Sequence, residues 1–364
     1  MDFDYPKDHQ DDPDTKWYCI EGGAQELARA MEKTLKSKPQ YGKTVTKIAA
    51  VTAGQQHNLA VHVQGERKPR EYYALFNSTT LGALQRMDLT EAGLNYPTKQ
   101  AIRCLGYGAS CKVAIRFSSP WWMKKPYDLN HGGLGRTDLP LRVCVYPSYN
   151  ITDPYDEPAV LLCSYSWAQD AQRLGALISP DSPKDEAALK ELLLRNLALL
   201  HTPQQSTPGF KTYTELLDEL NETYMTHHAF DWYADPYMSG AFAYFGPGQF
   251  SNSWPEITRN NGWLWTIGEA ASARHAWVVG ALESAVRAVY GFLWALRKVD
   301  KPNRGAYEKA MAKLTEKGNA PFGPLPKEMD PKLAENDTVL GFMETKEVLE
   351  ASGADSNGKT NGSL

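Results

Sequence analysis

The chain has 364 residues, 39 Lys+Arg against 43 Asp+Glu and an apolar fraction of 42%, enough for two packed units on an almost neutral chain. A net charge of −4 leaves no global basic field and no basic patch stands out, so neither nucleic acid nor an acidic membrane surface is expected as a partner. Five cysteines, Cys19, Cys104, Cys111, Cys144 and Cys163, are odd in number and scattered, which matches neither a disulfide framework nor a zinc spacing.

The acidic start MDFDYPKDHQDDPD is the reverse of a basic-then-apolar secretory signal, so residues 1–14 read as a disordered lead-in and the chain as cytoplasmic. From Glu21 a glycine turn leads into a helix with Leu27, Ala28, Met31 and Leu35 on one face. TVTKIAAVTAG, NLAVHVQG and REYYALFNST are rich in β-branched and aromatic residues between breaks, and each reads as a short strand. AIRCLGYGASCKVAIRFSSPWW passes from a short helix through Gly106 and Gly108 into an alternating strand. There Cys111, Val113, Ile115 and Phe117 share one face, and Lys112, Ala114 and Arg116 the other. LRVCVYPS and AVLLCSYSW are two further strands around the turn-rich ITDPYDEP.

The period then becomes helical, with Leu189, Leu192, Leu193, Leu197 and Leu200 on one helix and Leu216, Leu217 and Leu220 on the next. A glycine-rich, aromatic stretch leads to the strand WLWTIGE and a long helix carrying Val279, Leu282, Val286, Val289 and Leu293. Glu283, Ser284 and Arg287 interrupt its apolar run, so it reads as a buried core helix and not a membrane span. No periodicity follows Leu349, and residues 350–364 read as a disordered tail.

Few chemical motifs survive inspection. Gly353 to Thr360 fits a phosphate-binding loop by spelling, but only four residues remain for the helix that such a loop requires. Gly106-Tyr-Gly108 would need glycine at Cys111, and Gly246-Pro-Gly248 would need it at Ser251, so no dinucleotide fingerprint is present. His227 and His228 are adjacent and point apart, which rules them out as a shared metal pair. Pattern alone reads Lys112 as an exposed lysine or one aimed into a site. Trp277 reads as a core tryptophan, or as an aromatic at a helix start whose amides favour negative charge.

LWTIGEAASARHAWVVGALESAVRAV, residues 264–289, resembles the C-terminal flavin-binding motif of the amine oxidase superfamily. The matching features are a strand ending in Gly268-Glu269, a short loop, Trp277, and a helix opening Gly280-Ala-Leu-Glu-Ser284. AIRCLGYGASCKVAIRFSSPWW resembles that family's lysine-bearing block, AVLLCSYSWAQDAQRLGAL its L-amino-acid oxidase branch, and WYCIEGGAQELARAM the turn and helix before the adenine-side strand.

This resemblance implies an α/β, glutathione-reductase-like FAD-binding fold with a mixed sheet-and-helix substrate domain. The copy is incomplete, lacking the N-terminal dinucleotide-binding βαβ unit. The expected division is an FAD-domain segment at 15–105, a substrate domain at 106–239, an FAD-domain C-terminal segment at 240–298 and an extension at 299–349. By the same resemblance Lys112 holds a water near the flavin and Tyr165 reads a substrate carboxylate. Trp277 lies beside the flavin ring, Glu269 meets the ribityl chain, Gly268 is a further cofactor-binding residue, Val278 and Val279 offer amides, and Val45 contacts the adenine side. Ala285 departs from the family's usual glycine.

The implied activity is FAD-dependent oxidation of an L-amino acid to a 2-oxo acid, ammonia and hydrogen peroxide, with oxygen as co-substrate. A separate N-terminal half or a second copy is the expected partner. The alternatives are a truncated non-catalytic relative or partner subunit, an amine or polyamine oxidase, and an amino-acid monooxygenase.

Overall fold

The computed structural model describes residues 18–51, 58–179 and 186–315. The lead-in at 1–14, the phosphate-loop spelling at 353–360 and the tail at 350–364 lie outside the described residues.

Helix α1 (Gln25–Thr34) forms as its spacing predicts, but it buries no residue. Leu27, Met31 and Leu35 are 43%, 46% and 50% exposed, so its apolar stripe lies bare. Strands β1 (Val45–Ala50), β2 (Leu59–Val63) and β3 (Arg70–Tyr72) form an antiparallel sheet. REYYALFNST was expected as one strand and is two. β4 (Leu75–Asn77) leaves the first sheet and pairs in parallel with a strand far along the chain.

Helices α2 (Leu81–Leu84) and α3 (Tyr96–Cys104) follow, the latter capped by the Asn95 side chain on Thr98 N–H with Pro97 in its first turn. The short β5 (Tyr107–Gly108) leads into β6 (Ser110–Phe117). Cys111, Val113, Ile115 and Phe117 are fully buried while Lys112 and Arg116 are exposed, as the alternation predicts. With β7 (Gly133–Arg136), β8 (Val143–Tyr146), β9 (Ala159–Trp167) and β10 (Tyr224–Asp231), β6 makes a five-stranded antiparallel sheet in the order β10-β6-β9-β8-β7.

After β9 come α4 (Ala168–Gly175), α5 (Ala187–His201) and α6 (Tyr213–Thr223). α6 opens with a capping box in which Thr212 and Glu215 satisfy each other's backbone N–H. Leucines of α5 and α6 close over the Cys111–Phe117 face in one core that contains Trp121 and Trp122. The opposite face, that of Lys112, carries no such cover.

A second core joins Ile48, Leu59, Ile102, Ala243 and Leu264. It draws on both ends of the chain, through β11 (Phe242–Ala243), α7 (Gln249–Asn252), α8 (Trp254–Thr258) and β12 (Leu264–Thr266), the parallel partner of β4. Helices α9 (Val278–Val299) and α10 (Arg304–Thr315) complete the described chain.

The inward face of α9 differs from expectation. Its buried residues are Gly280, Ser284, Ala288, Trp294 and Ala295, while Val289 is 37% exposed. The small residues admit close neighbours: a Cβ on Gly280 would stand 2.3 Å from Arg274 O, and one on Gly291 would stand 2.8 Å from the Trp265 ring. The Val/Leu stripe is therefore only partly covered, and α9 is not the fully buried helix expected. By length and hydropathy α9 does reach the range of a membrane span, so its interruptions do not disqualify it on composition. Its place in this fold is set by packing and by Arg287, which donates to Ala271 O from within the apolar run.

Candidate active site

The residues singled out in the sequence fall mainly into two groups, one on the sheet and one at the start of α9. On the sheet, Lys112 of β6 stands opposite Tyr165 of β9 and Phe230 of β10. Its ammonium lies 4.6 Å from the centre of the Tyr165 ring, a cation–π contact contributing about 0.5–1 kcal/mol at an exposed position. Tyr165 meets Trp167 at 4.2 Å with the rings tilted by 49°, and Phe230 meets Trp232 at 4.6 Å. One cation therefore sits within a row of rings on the face that the helices leave open. A bulge between Val113 and Ala114 turns β9 so that Tyr165 and Trp167 reach this face while Cys163 and Ser164 stay buried.

The second group is the loop from Gly268 to Trp277. Gly268 has φ +104° and donates its N–H to Ser284 Oγ at 2.8 Å, tying the loop to α9. Glu269 accepts from Ala276 N–H at 2.6 Å through Oε1 and from Ala243 N–H at 3.1 Å through both oxygens. It is thus the clasp that holds β11 and the end of the loop together. Ser272 bonds back to Glu269 O and receives Arg274 N–H, and Trp254 donates to Ser272 O.

These ties hold Ala276 in the left-handed region at φ +65°, a conformation costly for alanine that persists only where its surroundings enforce it. Trp277 follows as the N-cap of α9 and is 39% exposed. The N–H groups of Gly280 and Ala281 turn back to Trp277 O. Those of Val278 and Val279 have no acceptor among the described residues, and the Val278 side chain is 62% exposed. An open helix start with two unmatched donors suits a hydrogen-bond acceptor carrying negative charge.

The β5–β11 ribbon joins the groups. Gly108 pairs with Phe242 and Tyr107 with Ala243, β6 begins two residues after Gly108, and Ala243 N–H ends on Glu269. Tyr107 is pushed up to about 12 by burial, with the Glu269 charge adding to the effect, so its hydroxyl stays protonated and accepts Leu81 N–H at 3.0 Å. Val45 is not drawn into either group. It begins β1 opposite Val63, beside a register shift, on the separate three-stranded sheet.

Sequence reasoning missed several participants. Phe230 and Trp232 alternate in HHAFDW, a strand signal hidden by its polar neighbours. His275 is buried against Phe245 at 4.3 Å and Phe250 at 5.0 Å, with Nε2 unpartnered, and burial lowers its pKa. Nothing in its local pattern marks it. His227 and His228 do point apart: His227 is buried on Glu186 at 2.5 Å and His228 faces out.

Comparison with known proteins shows the family. Residues 7–290 match the family described as flavin containing amine oxidoreductase. L-amino-acid oxidase 4 of Hebeloma cylindrosporum is 37% identical over 296 residues, which are 78% of this chain and 45% of that protein. An L-amino-acid oxidase of Vipera ammodytes ammodytes is 24% identical over 74% of this chain and 50% of its own. The chain thus spans about half the length of these relatives. A solved putrescine oxidase variant redesigned in cofactor binding shares the fold with a TM-score of 0.50 at 14% identity, over 69% of this chain and 48% of that one. The chain belongs to the flavin-containing amine oxidoreductases, a family of flavoprotein oxidoreductases whose cofactor is FAD.

Proposed function

We propose that this chain supplies the substrate-facing sheet and one side of the cofactor groove of an L-amino-acid oxidase. The observation that carries the reading is the Lys112 ammonium set over the Tyr165 ring on the open face of the sheet, joined through the β5–β11 ribbon to the start of α9. A flavin edge fits that helix start, because two unmatched amides and an exposed indole face outward there while Gly280 and Glu269 fix the loop behind them. FAD, when bound, takes the hydride from the substrate Cα and passes electrons to oxygen.

The chain's own residues act by position and charge. The amides of Val278 and Val279 donate to the cofactor's anionic edge, and Trp277 packs beside its ring. Glu269 keeps unused acceptor capacity on Oε2 for a cofactor hydroxyl, and Gly268 lets the backbone come close. Val45 lies on the strand proposed for the adenine side. Lys112 holds a water by an N–H donor and presents positive charge where oxygen is reduced. Tyr165 donates its hydroxyl to the substrate carboxylate, which selects amino acids over amines.

The bare stripe of α1 is the surface that the remaining half of the fold covers in this reading. Co-expression with a polypeptide carrying the glycine-rich βαβ half of a relative tests it. The expected product is a complex that retains stoichiometric FAD and forms peroxide from an L-amino acid. A complex that forms without flavin favours the non-catalytic alternative.

A further inference from the structure

A cleft of about 360 Å³ opens on the outer part of the same sheet, bounded by Arg136, Arg142, Val143, Trp167 and Asp170. Pairing of Arg136 with Val143, and of Val145 with Leu162, continues the pleat from β9 to β7. Arg136 therefore projects from the face that carries Tyr165 and Trp167 and not from the core face of Cys144. At a strand spacing of about 4.8 Å, β7 lies roughly 14 Å from β6, which sets Arg136 well apart from Lys112, while Trp167 on β9 lies against Tyr165 and joins the cleft to the edge of the Lys112 group.

Its charges are unequal. Arg142 is held by Asp170 at 3.1 Å and by Asp138 O at 3.2 Å, which spends the one carboxylate in the lining. Arg136 is exposed and has no acidic partner among the described residues. Trp167, 39% exposed, forms an aromatic wall backed by Tyr165, and Val143, 7% exposed, forms an apolar floor.

Of the six non-glycine residues with positive φ among the described residues, Arg142 at +60° lines this cleft and Ala168 at +52° follows Trp167 directly in the chain. Each costs on the order of 1–3 kcal/mol, and such strain gathers at ligand clamps. Here it aims Arg142 at Asp170 and starts α4 directly after Trp167.

We propose that this cleft is a second binding site, for a small aromatic carboxylate whose ring lies on Trp167 and whose carboxylate is taken by the Arg136 guanidinium. The proposal does not depend on the oxidase reading. Calorimetric titration of the full chain with phenylacetate, and with uncharged phenylacetamide, tests it. Phenylacetate is expected to bind roughly tenfold tighter than the amide or better, as a charge-assisted bidentate contact requires. Arg136→Gln and Trp167→Ala are each expected to weaken phenylacetate roughly tenfold, with Arg136→Lys intermediate because it lacks the planar fork. Lys112→Met is expected to leave phenylacetate affinity within about threefold, since Lys112 lies three strands from the Arg136 guanidinium that takes the carboxylate. Arg136 is exposed, so its variants fold, and matched circular dichroism spectra check this. Equal binding of acid and amide, indifference to Arg136→Gln, or loss of binding in Lys112→Met would each overturn the proposal.

Discussion

Gly280→Ala offers a test of how the proposed cofactor edge is built, because two effects oppose each other in sign. At an ordinary position inside a helix, replacing glycine by alanine stabilises by about 1 kcal/mol. At Gly280 the new Cβ would lie 2.3 Å from Arg274 O and 2.5 Å from Ser272 Oγ, the first about 0.7 Å inside the 3.0 Å that real Cβ contacts respect. Arg274 O is backbone, and its loop is tied by Ser272, Glu269 and Arg287, so relief requires the loop to move. Overpacking of this kind costs up to about 3 kcal/mol, leaving a net loss of about 2 kcal/mol after the gain in helix propensity. Gly305 in α10 is the internal control, since a Cβ there meets nothing within 4 Å. Urea unfolding is expected to place the midpoints in the order Gly305→Ala, wild type, Gly280→Ala. A Gly280→Ala midpoint at or above wild type would refute the close approach of α9 to the loop that presents Trp277.

Three further outcomes are expected. In a flavin-loaded complex, Lys112→Met retains the cofactor but slows its reoxidation in stopped-flow mixing with oxygen; an unchanged rate returns Lys112 to an ordinary surface lysine. Tyr165→Phe weakens an L-amino acid by about 1–3 kcal/mol, the worth of a hydrogen bond to a charged group, and leaves the corresponding amine nearly unaffected; equal losses in competition assays assign Tyr165 to shape alone. Burial holds the His201 imidazole down at about 4 against 6.5 unfolded, so the unfolded chain takes the proton first. Stability is then complete above pH 6.5 and falls towards pH 4 by up to about 3 kcal/mol, a slope that should shrink in His201→Gln when urea midpoints are compared across pH.

Legibility in the sequence followed the physical signal. The period-2 burial of β6 was readable because one side is packed and the other open, so every second residue reports its face. The leucines of α5 and α6 likewise announced a 3.6-residue period. The face of α9 was misjudged because hydrophobicity was taken as the mark of burial. The decisive residues there are Gly280, Ser284 and Ala288, chosen for small size where a loop and a tryptophan ring press in. α1 shows the converse, a correct helix with no partner for its apolar side among the described residues. Strands β7 and β10 were missed because glycine, histidine and aspartate dilute their pattern and sheet pairing alone defines them. Within the candidate site, the Lys112 and Tyr165 pairing is a register fact that neither segment carries by itself. Ala276 in the left-handed region, and Glu269 as its clasp, depend on bonds between residues that no local pattern relates.

Peroxide release by the flavin-loaded complex, compared between L-phenylalanine and 2-phenylethylamine, tests the proposed activity most directly. The two differ only in the carboxylate that Tyr165 is proposed to read. The expected result is peroxide from the amino acid, little from the amine, and a loss of that preference in Tyr165→Phe. Turnover of the amine with the amino acid inert would contradict the L-amino-acid oxidase reading and place the chain among amine oxidases instead.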